Sequence, residues 1–175
     1  MPVANPENTR VPICGGNLVG MRYWLMKSEP ESYSIDDLKA ETKPAVWEGC
    51  RNYTVRNFMR DDMKVGDLAF FHNSNSDPSG IIGIMKIVGE SVPDPTQFDP
   101  KSHYYDPKSP RDNPRWLSPY VEFVEKFARV ISLAELRTTP GLEEMLVNRK
   151  GQRLSVMPVT EQEWKVVNAL PGLRG

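Results

Sequence analysis

The sequence predicts an α+β domain: a small, partly open β-barrel of five to six strands with short helices packed on it. Three observations predict this. Apolar runs of strand length recur along the chain, and the segments between them read as short, separately capped helices rather than the long crossovers of βαβ units. The best-defined pair of runs is joined by a turn-forming stretch, as in an antiparallel hairpin. At 175 residues, 39% hydrophobic and 26% charged, the chain is about one domain long and has the composition of a folded one.

Residues 1–20 ("MPVANPENTRVPICGGNLVG") mix Pro, Gly and Asn without periodicity; they are expected to form a flexible extension, with the folded unit over 21–172. "YWLMK" (Tyr23–Lys27) is a short apolar strand that stops at "SEPESYS". Ser34 caps the helix opened by "SIDDLKAE", where Asp36 and Asp37 complement its positive end. A second helix is expected from Asn52 to Arg60, with Val55, Phe58 and Met59 on its apolar side. Asn52, Arg56 and Arg60, spaced by four, share another side. "KVGD" is a turn and "LAFFHNS" a strand; "NSDPSG" turns the chain into the returning strand "GIIGIMKIVGE". The glycines of "GIIG" are read as close strand packing.

From Ser91 to Pro119, seven prolines surround Tyr104, Tyr105 and Trp116, which argues against regular structure. A loop of that length inside a compact domain is as a rule functional or mobile. "YVEFVEKFARV" (Tyr120–Val130) alternates apolar and charged residues in its first half, the pattern of a half-buried strand. Ser132 caps "LAELR", a short helix "GLEEMLV" follows Pro140, and "RLSVMPV" is a last strand. Thr160 and Glu163 form a capping box ahead of "EQEWKVVNAL", where Trp164, Val167 and Leu170 share a side.

Composition narrows the function classes. With 22 basic against 23 acidic residues and a pI near 6.2, the chain is not built to wrap long duplex, so any grip on nucleic acid is local. The longest apolar run is too short to span a bilayer, and no convincing signal peptide is present, which predicts a cytoplasmic protein. Cys14 and Cys50, with His72 and His103 in unrelated contexts, have no zinc-type spacing and read as inert thiols. There is no G-x-S-x-G, phosphate-cradling loop or G-x-G-x-x-G. His72 has no implied partner as a general base; Glu29 with Glu31 flanks a proline, and Asp36 with Asp37 starts a helix. No catalytic set, cofactor or metal is implied.

"VWEGCRNYTVRNFMR" (46–60) sets Arg51, Arg56 and Arg60 beside Trp47 and Tyr53. Arginines and aromatics together suit a flat, negatively tethered ligand such as a nucleotide. They are also what an amphipathic helix shows, with Arg56 and Arg60 pairing Asp61 and Asp62. Trp24 is read as core and Trp164 as helix packing.

In order along the chain, "YWLMKSEP", "VWEGCRNYTVRNFMR", "MKVGDLAFFHNSN", "GIIGIMKIV", "KFARVISLAEL" and "LSVMPVTEQEW" resemble the EVE domain family over roughly Met21 to Leu170. The resemblance implies a PUA-like barrel related to PUA, ASCH and YTH domains. It further implies a non-enzymatic reader that holds one flipped or unpaired modified base of DNA or RNA, modified cytosine being favoured. The alternatives left open are a base- or nucleotide-processing enzyme and a protein-interaction module. Carried onto this chain, Trp47 stacks on the base and Trp116 forms a second wall. Lys27, Ser28 and Glu29 end the first strand at the pocket, Glu29 accepting from an exocyclic amine and Ser28 making a polar contact. Phe71, His72, Asn73 and Ser74 end the strand that closes it. Arg51, Asn52, Tyr53, Arg56 and Arg60 supply the rim and phosphate contacts.

Overall fold

The computed structural model describes residues 21–175; the expected extension over residues 1–20 lies outside the described residues. Strand β1 (Tyr23–Ser28) is followed by helix α1 (Ile35–Ala40), the two-residue β2 (Ala45–Val46) and α2 (Tyr53–Asn57). Then come β3 (Leu68–Asn73), the long β4 (Gly80–Pro93) and β5 (Leu117–Ser132), α3 (Leu133–Thr138), β6 (Val156–Val159) and α4 (Glu161–Asn168). The strands form one mixed sheet in the order β2-β5-β4-β3-β1-β6. β1 and β3 run parallel, and the remaining pairs are antiparallel.

The sheet does not close into the expected barrel. Closure requires the outermost strands to pair; here they are β2 and β6, at opposite ends of the order, and β2 has only two residues.

Period-two alternation buries both faces of the central strands. Trp24 and Met26 of β1 and Phe71 of β3 enter one core, with Ile35 and Leu38 of α1 and Val55 of α2. Leu25 and Phe70 enter the other, with Leu136 of α3 and Trp164 and Val167 of α4. "YWLM" is therefore a continuous apolar run rather than an alternating one. Trp24 is fully buried, and Trp164 stacks on Phe70 at a centroid distance of 4.0 Å, as expected of both. The "KVGD" turn is tied to β1 by the buried Asp67 carboxylate, which accepts from the Trp24 indole N–H (3.0 Å) and the Arg22 and Lys64 amides.

The caps form as read. Ser34 with Asp37 and Thr160 with Glu163 make full capping boxes, and Ser132 caps α3. A Cβ at Gly80 or Gly83 would collide with the carbonyl of Ile131 or Glu125, so "GIIG" does mark close strand packing. Three expectations change. The Asn52–Arg60 helix is a short α2 followed by a wider π-turn (Phe58–Asp62), and Asn52 is its cap rather than a member of the Arg56 face. "GLEEMLV" is not a helix: Gly141 adopts φ +93°, and only a 3-10 turn forms at Leu146–Asn148. The proline-rich stretch does carry regular structure, the end of β4, a 3-10 turn at Pro95–Phe98 and the start of β5, around a polar core of its own. Gln97, fully buried, donates to the carbonyls of Asp94 (2.7 Å) and Trp116 (2.8 Å) and accepts from Ser109 (2.6 Å). Among the described residues no helix is long and apolar enough to cross a membrane.

Candidate functional site

A cavity of about 660 Å³ opens beside Trp47, where the C-terminal end of β1 meets the segment after β2. Lys27, Ser28 and Glu29 line it from β1 and Tyr33 from the turn that follows. That turn folds back on itself: the Ser32 and Tyr33 amides donate to the Glu29 carbonyl, and the Ser28 hydroxyl donates to the Tyr33 carbonyl (2.6 Å). Ser28 is thus left only its acceptor capacity toward a ligand. Trp47 to Cys50 form another wall, Tyr104 of the proline-rich loop a third, and Arg153 and Ser155 approach from the segment before β6.

Trp47 is fixed by its amide, which donates to the Pro119 carbonyl (2.9 Å), and by its ring. The indole packs edge-on against Phe71 (5.5 Å) and Tyr33 (6.5 Å) and is only 5% exposed. After it the chain makes a left-handed step at Gly49, φ +90°, whose N–H donates to the buried Asp94 carboxylate (2.8 Å). Asp94 also accepts from Arg51 Nη1 (2.9 Å) and from the amide and hydroxyl of Thr96. One buried carboxylate therefore joins the Trp47 wall to the loop that carries Tyr104.

Burial alone would push the Asp94 carboxyl up, but hydrogen bonds from Arg51, Thr96 and Gly49 outweigh it and hold the group below the usual carboxylate range. Partial burial, then the Asp94 charge, pushes Glu48 at the cavity wall up, with Arg51 opposing. Burial lowers Lys27. Tyr33 is held above the usual phenol value by burial and by Glu41, to which it donates (3.2 Å). Burial also pushes the Cys50 thiol up to about 11, so at neutral pH it stays protonated. Among the described residues no three His, Cys, Asp or Glu side chains group as a metal-ligand set.

Of the expected base-pocket residues, Trp47, Lys27, Ser28, Glu29 and Ser74 do line this cavity. Phe71, His72, Asn73 and Trp116 do not. Phe71 is fully buried behind the indole. His72 is 3% exposed, and burial with the Lys27 charge pushes its imidazole down to about 4; it is a neutral interior group. The Asn73 carbonyl oxygen is likewise buried. Trp116 is no second wall: its ring stacks on Tyr53 (4.9 Å) and its N–H donates to Asp106 (2.8 Å).

The rim residues also lie off the cavity. Arg51 engages all five of its N–H groups inside the protein, on Asp94, Thr96, the Cys50 carbonyl and twice the Tyr104 carbonyl. No donor remains for a phosphate, so Arg51 is a positioning residue. Asn52 accepts from the Thr54 and Val55 amides. Arg60 is paired with Asp61. Tyr53, 52% exposed, and Arg56, whose guanidinium lies over the Tyr53 ring at 4.8 Å, form an outer surface. Trp116 links that surface to Arg51 (5.4 Å) and so to Tyr104. Sequence reasoning missed Tyr33, Glu48, Tyr104, Arg153 and Ser155. Tyr33 stood within reach, five residues past the first strand; nothing local marked Tyr104.

The family model for the EVE domain matches residues 22–170. Thymocyte nuclear protein 1 from Homo sapiens is 44% identical over 185 aligned residues, covering 95% of this chain and 81% of that protein. Among solved structures, a protein from Pseudomonas syringae has a TM-score of 0.80 at 46% identity, over 84% of this chain and 97% of its own. The human THYN1 protein, in complex with DNA containing 5-methylcytosine, has a TM-score of 0.77 at 46% identity, over 83% of this chain and 95% of its own. An ASCH protein from Zymomonas mobilis has a TM-score of 0.50 at 9% identity, over 85% of this chain and 98% of its own, a likeness of fold alone. With the family model spanning nearly all the described residues and relatives this close, the chain belongs to the EVE domain family.

Proposed function

We propose that the protein is a non-enzymatic reader of nucleic acid, holding one unstacked modified base, modified cytosine first among them, in the cavity beside Trp47. The observation that carries this is the cavity: about 660 Å³ and walled by the aromatic residues Trp47, Tyr33 and Tyr104, with Glu29, Glu48 and the Ser28 oxygen as acceptors. An acceptor of that kind suits the exocyclic amine of cytosine. The solved complex of the human relative with 5-methylcytosine-containing DNA supports the same reading.

The energetics fit a pocket better than an extended groove. Extruding a base costs a few kcal/mol, and stacking it on an aromatic side chain returns about 1–3 kcal/mol. One methyl group adds on the order of 0.8 kcal/mol, so discrimination needs a rigid wall close to it. The walls here are tied by backbone hydrogen bonds and by Asp94. A net charge of −1 favours a grip on few nucleotides. The cavity's thiol, Cys50, is protonated at neutral pH, which favours binding over nucleophilic chemistry.

The test is a calorimetric titration with short oligonucleotides identical except at one position, which carries cytosine, 5-methylcytosine or another base. The 5-methylcytosine strand is expected to bind most tightly. Equal affinity across the panel would overturn the reading.

A further inference from the structure

Resting on that reading, we propose that Tyr104 is the aromatic face on which the captured base stacks, and that Arg51 positions it. Stacking requires an aromatic surface that the protein has not already covered. Trp47 is 5% exposed, its ring enclosed by Phe71 and Tyr33, and Tyr33 is only partly exposed. Tyr104 is 39% exposed while lining the same cavity. Of the three aromatic walls it is the most exposed residue.

The residue is open, but its backbone is not free. The Tyr104 amide donates to Ser102 Oγ (3.1 Å), and its carbonyl accepts from Arg51 Nε (3.0 Å) and Nη2 (2.7 Å). The same guanidinium lies 5.6 Å from the ring centroid. The ring rests against Gly49, where a Cβ would fall 2.9 Å from Cε2 and Cζ. Only glycine meets both demands at position 49, a φ of +90° and the approach of the ring. Asp94 completes the clamp by accepting from both Gly49 and Arg51. An exposed aromatic on a long loop would ordinarily lose side-chain and backbone entropy on binding. Here the backbone part is already fixed, which is what pre-organised recognition requires.

Arg51 acts through geometry. Its planar fork converges two N–H groups, from Nε and Nη2, on one carbonyl oxygen while its other edge reaches Asp94 and Thr96. A lysine ammonium keeps the charge but not the fork.

The experiment titrates paired oligonucleotides, with cytosine or 5-methylcytosine at one position, into the wild type, Tyr104→Ala, Tyr104→Phe, Arg51→Lys and the double variant Tyr104→Ala/Arg51→Lys. Tyr104→Ala is expected to weaken the 5-methylcytosine strand roughly 5- to 150-fold, the range for loss of one stacked base. Its thermal midpoint should stay within about two degrees of the wild type, since an exposed ring contributes little to the core. Tyr104→Phe keeps the ring and retains most of the affinity. Arg51→Lys weakens binding in the wild-type background but adds nothing once Tyr104 is alanine, because both changes remove the same wall. Wild-type affinity in Tyr104→Ala, or losses that simply add in the double variant, would overturn this proposal and leave the base-reading function standing. A wild type that binds both strands equally would overturn that reading and this proposal together.

Discussion

Trp47 lines the cavity from a position the sequence marks, but what packs against it comes from far along the chain. Its place near Gly49 is visible in "VWEG", and it does reach the cavity. Its exposure was not legible, because that depends on Phe71 and Tyr33 from other parts of the fold. Trp47→Ala is therefore expected to destabilise the fold by about 3–5 kcal/mol, as deletion of a buried aromatic does. Urea unfolding measures this, and a loss below about 1 kcal/mol would mean the indole is not packed as described. Arg51 carries the same lesson. The sequence offered an arginine beside aromatics, but only the fold shows that its whole donor set is taken up within the chain.

Elements specified by their own neighbours were read well. Capping boxes need a hydroxyl and a carboxylate three residues apart, and strands need an apolar run, both visible locally. Elements that compete with the local pattern were read poorly. Asn52 has the four-residue spacing of a helix face, yet its short amide side chain serves better as a cap, and α2 passes into a π-turn that shifts everything after it. Arg56 remains the best phosphate candidate of this segment. Three of its N–H groups bond Asn57 and the Arg115 carbonyl, leaving two of the five without a partner among the described residues. Arg56→Ala is expected to weaken modified and unmodified oligonucleotides alike and to lower the salt slope of binding by about one. A loss confined to the modified strand would make Arg56 a contact to the base instead.

Assembled, the cavity draws on segments far apart in sequence, with Arg51 bonding Tyr104 across 53 residues and Ser155 facing Cys50 across 105. No local window contains that arrangement, which is why the β1 end of the site was legible and the Tyr104 wall was not. Failure of the barrel to close is equally non-local, since it depends on which strands end the sheet. His72 makes the fold itself sensitive to acid. Burial, with Lys27, holds His72 near 4, whereas an unfolded histidine titrates near 6.5. Between these values the unfolded chain binds a proton that the folded chain does not. Stability should therefore fall as pH drops from about 6.5 toward 4, by up to roughly 3 kcal/mol. Unfolding midpoints measured across that window check it, and in His72→Leu the slope should flatten; an unchanged slope would place the acid sensitivity elsewhere. The most direct examination of base recognition is the affinity ratio between 5-methylcytosine and cytosine oligonucleotides as sodium chloride is raised. Recognition inside a walled cavity predicts that both affinities fall while the ratio stays above one. A ratio that sinks to one as the salt rises would show that the preference came from the phosphate backbone and not from the cavity.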